Sequence, residues 1–138
     1  MKRREAREKA VQTLFQLDNT TMELSVDEAI HYITERPANP FYEQLVRGTV
    51  QHKSEIDAAL TERLENWSLE RLPKIERTVL RLAVYELLFT DDAPHRVILN
   101  EAVELCKTFG DEKSGRFVNG VLSKFDERST RNDLEDEI

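Results

Sequence analysis

Two short segments carry the side chains with which a protein grips an anionic polymer. The first is the chain start, Lys2-Arg3-Arg4-Glu5-Ala6-Arg7-Glu8-Lys9, five bases against two acids. On a helix, Arg3, Arg4 and Arg7 are spaced to share a face. Arginine suits phosphate because its planar fork donates two parallel hydrogen bonds. Basic charge at a helix N-terminus opposes the macrodipole, so its presence there costs a little stability and favours a functional reading. The second segment is Lys113-Ser114-Gly115-Arg116-Phe117-Val118-Asn119-Gly120. Lys113 and Arg116 lie one turn apart, and Phe117 and Asn119 add a ring and an amide. Phosphate contact, base stacking and edge hydrogen bonding are the means by which unpaired RNA is held. The spacing of Phe117 with Val121 also fits a place in the core, and on spacing alone the core is favoured. Gly120 inside a helix costs about 1 kcal/mol relative to Ala. A close approach by a neighbouring helix or a ligand would account for it.

Other chemistries find no support. His31, His52 and His95 fall on three separate elements, with no Cys or carboxylate at metal-ligand spacing. Cys106 sits in a helical pattern with no motif around it and reads as a small buried hydrophobe. Gly110, Gly115 and Gly120 lack the order of a phosphate loop, and no strand precedes them. The expectation is a protein with no catalytic residues, no metal and no cofactor.

The elements that position these segments are helices. The 138 residues suffice for one domain, or two small subdomains sharing an interface. Four Gly and four Pro are too few for the turns of a sandwich or barrel. A single Cys excludes a disulfide framework. No apolar run reaches the ~18 residues of a membrane span, and the basic start has no apolar region after it, so it does not read as a secretory signal. A cytoplasmic, all-α protein is expected.

Residues 3–17 read as the first helix, with Ala6, Ala10, Leu14 and Leu17 in one stripe and Arg7, Val11 and Phe15 in the next. Ser25 and Glu28 form a capping box for a second helix, from about Val26 to Arg36, which Pro37 ends. Asn39 and Pro40 open a third. Apolar residues from Phe41 to Trp67 recur at spacings of three and four, which predicts one long helix over about 40–65 with a possible kink near Gly48 or residues 51–54. Pro73 is the best subdomain boundary. It divides an N-terminal subdomain (1–72) from a C-terminal one (73–125), with an acidic, solvated tail at 126–138. Residues 74–89 are apolar around well over half the circumference, which predicts the central helix of the second half. Residues 96–109 follow, with Gly110 expected at positive φ beyond their end. Asp111 caps the last core helix, which runs through Phe125.

Four segments together resemble the NusB family of bacterial transcription antitermination factors. They are Arg3-Arg4-x-Ala6-Arg7-Glu8-x-Ala10-Val11-Gln12, Ile75-Glu76-Arg77-x-x-Leu80-Arg81-Leu82-Ala83-x-Tyr85-Glu86, the run from Asn100 to Gly110, and Phe117-Val118-Asn119-Gly120-Val121-Leu122. Their order and separation match as well, and the resemblance covers about residues 2–125. It implies two packed three-helix subdomains forming one compact helical domain. It implies binding of the boxA element in ribosomal RNA leader transcripts. It further implies pairing with NusE, which is ribosomal protein S10 in a second role, and action with the other Nus factors on RNA polymerase. Carried onto this sequence, the RNA surface comprises Lys2, Arg3, Arg4 and Arg7 with Lys113, Arg116, Phe117 and Asn119. The NusE-facing set comprises Phe15, Glu76, Arg77 and Arg81. Some members carry Tyr where this chain has Phe15, so a hydrogen bond from that hydroxyl is absent here.

An enzyme alternative exists, because the same fold occurs as the N-terminal domain of certain rRNA cytosine methyltransferases. The 138 residues leave no room for an S-adenosylmethionine domain, and no Gly-rich βα unit is present. A third reading is a purely protein-binding helical adaptor. The net charge of −7 argues against nucleic acid only as an average, since residues 2–9 carry +3 and the remainder −10. The basic start suits RNA and the acidic body a basic protein.

Overall fold

The structure, a computed structural model, describes residues 1–20, 23–34 and 39–125. Among them are seven α-helices and no strand: α1 (Arg3–Asn19), α2 (Val26–Thr34), α3 (Pro40–Gln51), α4 (Lys53–Arg63), α5 (Lys74–Phe89), α6 (His95–Phe109) and α7 (Glu112–Leu122). A single 3-10 turn, Leu69–Arg71, precedes α5. The acidic tail, Pro37 and the end of the expected second helix at residues 35–36 lie outside the described residues.

Local chemistry sets the helix starts. The Asn39 side chain accepts from the N–H groups of Phe41 and Tyr42, and Pro40 occupies the first helical position. The Ser25 hydroxyl accepts from the Glu28 N–H, which is one arm of the expected capping box. Asp111 caps α7 by accepting from the Ser114 N–H at 2.7 Å. That bond, first from the backbone and then from the Ser114 side chain, holds its carboxyl below the usual range.

Three expectations are corrected. The long helix over 40–65 is two helices, and the expected kink within residues 51–54 is a full break at His52 (φ −101°, ψ 17°). Here α3 packs on α1, α2 and α5, whereas α4 packs on α5 and the 3-10 turn. A change of direction at His52 lets both bury their apolar faces, and the His52 ring stacks on Phe89 at 4.0 Å. Trp67, part of the same apolar series, lies past the end of α4 and is 57% exposed. Gly110 closes α6 at φ −135° rather than at positive φ, its N–H bonded to the Cys106 carbonyl.

Helix α5 is central. It packs against α1, α3, α4, α6 and α7, and Val79, Leu80, Leu82, Ala83, Val84 and Leu87 are all buried. If α3 and α4 are taken as one broken rod, three rods precede Pro73 and three follow, and one apolar core runs through both sets. Two glycines mark close helix approaches. A Cβ at Gly48 would collide with the Tyr85 ring, so α3 seats on α5 only because that position is glycine. A Cβ at Gly115 would press on Val103 at 3.3 Å, where α7 meets α6. Gly120 has nothing within 4 Å of such an atom, so no neighbouring helix explains it. None of the helices, among the described residues, is long and apolar enough to cross a membrane.

Candidate RNA and partner surfaces

The start of α1 presents Lys2, Arg3 and Arg4 to solvent. Two of the three are held in place without being buried. The Arg3 guanidinium lies over the Phe41 ring at 4.2 Å. Arg4 donates through both arms of its fork to Glu101 on α6, at 3.2 and 3.0 Å, while its side chain stays 59% exposed. Hydrogen bonding to Glu101, then its charge, raises the Arg4 pKa further. The pair fixes the exposed Arg4 guanidinium against α6.

Arg7, expected at the same RNA surface, is placed differently from Arg3 and Arg4. It is 3% exposed and donates two bonds of 2.9 Å each to Glu86 on α5. Burial alone would lower its pKa, but the bonds and charge of Glu86 outweigh that and raise it. Its guanidinium ties α1 to α5 inside the fold, 5.4 Å from the Phe41 ring that Arg3 covers from outside.

On α7, Lys113, Arg116 and Asn119 are exposed, and Phe117 is half-buried against the core. Arg116 and Asn119 line a shallow groove with Lys107 of α6. The two basic segments are linked across α6. Arg4 binds Glu101, Glu104 adds to the field on Arg4, and Glu104 pairs with Lys107 at 3.4 Å. Lys107 was not among the residues expected at this surface, although it stands inside the Asn100–Gly110 segment.

The expected partner residues divide. Phe15 is half-buried and lines an open groove of about 700 Å³ with Val11, Tyr32, Ile33, Ile75 and Phe109. Tyr32 is 70% exposed there. Glu76 is half-buried, beside Ile75 in the first turn of α5. Arg77 and Arg81, also expected to face NusE, are half-buried and make ion pairs within the chain. Arg77 donates to Asp18 at 2.7 Å, and Arg81 donates to Asp57 at 2.8 and 3.0 Å and lies 3.4 Å from Asp18. Burial would raise the Asp18 pKa, yet Arg77, Arg81 and Lys53 together lower it. These pairs bind α5 to α1 and α4. Cys106 is fully buried, as its sequence setting suggested, and burial followed by the charges of Glu76 and Asp111 pushes its thiol up to about 12. It stays protonated and unreactive at neutral pH.

Comparison with known sequences decides the family, because the NusB family matches residues 4–127. The chain belongs to the NusB family. A relative from Lysinibacillus sphaericus, the transcription antitermination protein NusB, is 66% identical over 128 residues, which is 93% of this chain and 99% of that protein. The solved structure of T. maritima NusB superposes with a TM-score of 0.81 at 36% identity, covering 91% of this chain and 90% of the other. A crystal structure of the antitermination factors NusB and NusE in complex with dsRNA superposes with a TM-score of 0.78 at 34% identity, covering 89% and 94%. The all-α NusB fold expected from the four sequence segments is therefore the fold observed.

Proposed function

We propose that this chain is an RNA-binding transcription antitermination factor. It pairs with NusE to bind boxA in ribosomal RNA leader transcripts and, with the other Nus factors on RNA polymerase, suppresses premature termination. The reading is carried by the exposed bases Lys2, Arg3 and Arg4 at the start of α1, Lys107 on α6 and Lys113 and Arg116 on α7, on a chain whose net charge is −7. Membership of the NusB family and the likeness to a NusB–NusE–dsRNA complex support it.

In this reading Lys2, Arg3, Arg4 and Arg116 hold phosphates, with Lys113 at the margin, and Phe117 and Asn119 meet bases. Arg7 positions α1 through Glu86. NusE meets the groove around Phe15 and the carboxylate of Glu76, while Arg77 and Arg81 hold α5 in place behind them. The boundary at Pro73 separates two subdomains, 1–72 and 73–125, that share α5 as a common wall. The protein works where transcription does, in the cytoplasm, and it binds rather than catalyses.

The test is fluorescence anisotropy of a labelled boxA RNA with this chain, with NusE and with both, over a range of salt. The pair should bind more tightly than either protein alone. Affinity should fall steeply with salt, because each neutralised phosphate releases counterions. Absence of binding by the pair at low salt overturns the reading.

A further inference from the structure

Trp67 stands where a large ring is not expected. It is 57% exposed, beyond the end of α4, in a chain whose other large apolar residues mostly build one core. Asn66 before it adopts φ 64°, a left-handed conformation that Asn tolerates better than most residues, and this turns the chain out of α4. Trp67 meets Phe117 edge-on, with ring centroids 6.1 Å apart and planes at 72°. Whichever ring supplies the edge, at least one face of the indole is left uncovered by Phe117.

The two rings wall a groove of about 350 Å³ with Arg116, Gly120, Arg63 and Lys124. Three bases and Glu65 border it, and Glu65 lies 3.8 Å from the Lys124 ammonium. Arg63 has Glu62 at 3.6 Å, which leaves Arg116 as the base without an acid partner among these pairs. The Arg63 guanidinium lies over Phe125 at 4.0 Å and bonds backbone carbonyls, and Lys124 donates to the Arg63 carbonyl. Arg116 is exposed and also lines the shallow groove with Lys107 of α6. Gly120 on the groove wall weakens its helix by about 1 kcal/mol relative to Ala, yet no protein atom approaches the space a Cβ would take.

We infer that this groove extends the RNA site: Trp67 stacks on one unpaired base of the RNA whose backbone Arg116 holds, and the base edge passes over Gly120. The inference rests on the RNA-binding reading above and adds a stacking platform to it. An unpaired base suits the groove because an exposed aromatic face, a neighbouring cation and an open backbone are what sequence-tolerant binding of single-stranded RNA uses.

Trp67 is the chain's one tryptophan, so its fluorescence reports on the site alone. The full chain with NusE is titrated with a single-stranded boxA RNA flanked by uridines, fluorescein-labelled for anisotropy and unlabelled for emission, and Trp67 emission is taken as the difference from the same titration of Trp67→Phe. Stacking should quench the emission, and Trp67→Ala should weaken binding about 5- to 150-fold, the usual range for one stacked base. Trp67→Phe should restore most of the affinity. Gly120→Ala should raise the thermal midpoint while weakening RNA binding, a pairing that a purely structural role does not give. Unquenched emission at saturating RNA, with Trp67→Ala binding as wild type, overturns the inference and leaves the RNA-binding reading standing. No anisotropy change for the wild type overturns both. Loss of NusE binding with RNA affinity unchanged would assign the groove to a protein and overturn it too.

Discussion

The Arg7–Glu86 pair gives the sharpest test of how this fold is held. Both side chains are almost sealed, at 4% and 3% exposure, and the fork makes two bonds of 2.9 Å. Removing one partner leaves the other charge buried without compensation, which typically costs about 3–5 kcal/mol. Arg7→Met should therefore remove a large part of a stability expected to be about 5–15 kcal/mol, and lower the thermal midpoint by about 10–20 °C. Replacing both, as Arg7→Met with Glu86→Leu, removes the stranded carboxylate. The double variant should return to within about 1–2 kcal/mol of wild type, because the cost of desolvating the ion pair also disappears. Urea unfolding followed by far-UV circular dichroism measures all three variants. A single variant costing under about 1 kcal/mol, or a double costing the sum of the singles, refutes the reasoning. The double variant also tests the RNA surface. Because the pair is sealed, it should bind boxA RNA as wild type does, and a weakened but folded double variant would return Arg7 to that surface.

Arg3→Ala with Arg4→Ala should leave the fold intact and reduce the slope of log affinity against log salt by about 1.4, from two phosphate contacts on single-stranded RNA; filter binding across salt measures it. Glu76→Lys should impair capture of NusE in a pull-down while the circular dichroism spectrum stays helical, since like charges at an interface with a basic partner repel. Asp18 has its pKa lowered in the folded chain, so its contribution is complete above the ordinary carboxylate value of about 4 and is lost as pH falls through the lower folded value. Asp18→Asn should thus be less stable at neutral pH and show a flatter loss of stability below about pH 4, read from urea midpoints against pH. Gly48→Ala should destabilise by about 1–3 kcal/mol through overpacking against Tyr85, despite alanine's better helix propensity, and differential scanning calorimetry would show it.

Periodicity and capping were enough to place most helices. The predicted range 74–89 is the observed α5, and Asn39 and Asp111 cap the helices they were expected to cap. The break at His52 was harder to read, because the apolar spacing continues through it and the reason to turn lies in what α3 and α4 each pack against. Charge was read as surface, and spacing did not reveal the internal ion pairs whose counterion is distant along the chain. Glu86 is 79 residues from Arg7, and Asp18 is 59 from Arg77. One local sign was present. Arg7 falls in the stripe with Val11 and Phe15, a face on which Val11 is buried. Trp67 failed the other way, since its spacing continued an apolar series whose helix had already ended.

The place of α5 in the chain has a consequence for synthesis. Every other helix except α2 packs on it, yet it begins only at Lys74. Translation adds about 5–20 residues per second, so some 4–16 s separate Arg7 from the Glu86 that neutralises it in the core. Until then α1 carries a cation on the face it must bury, and α1, α2 and α3 have only one another to pack against. The charge of Arg7 therefore meets its buried counterion only once both halves of the chain have been made.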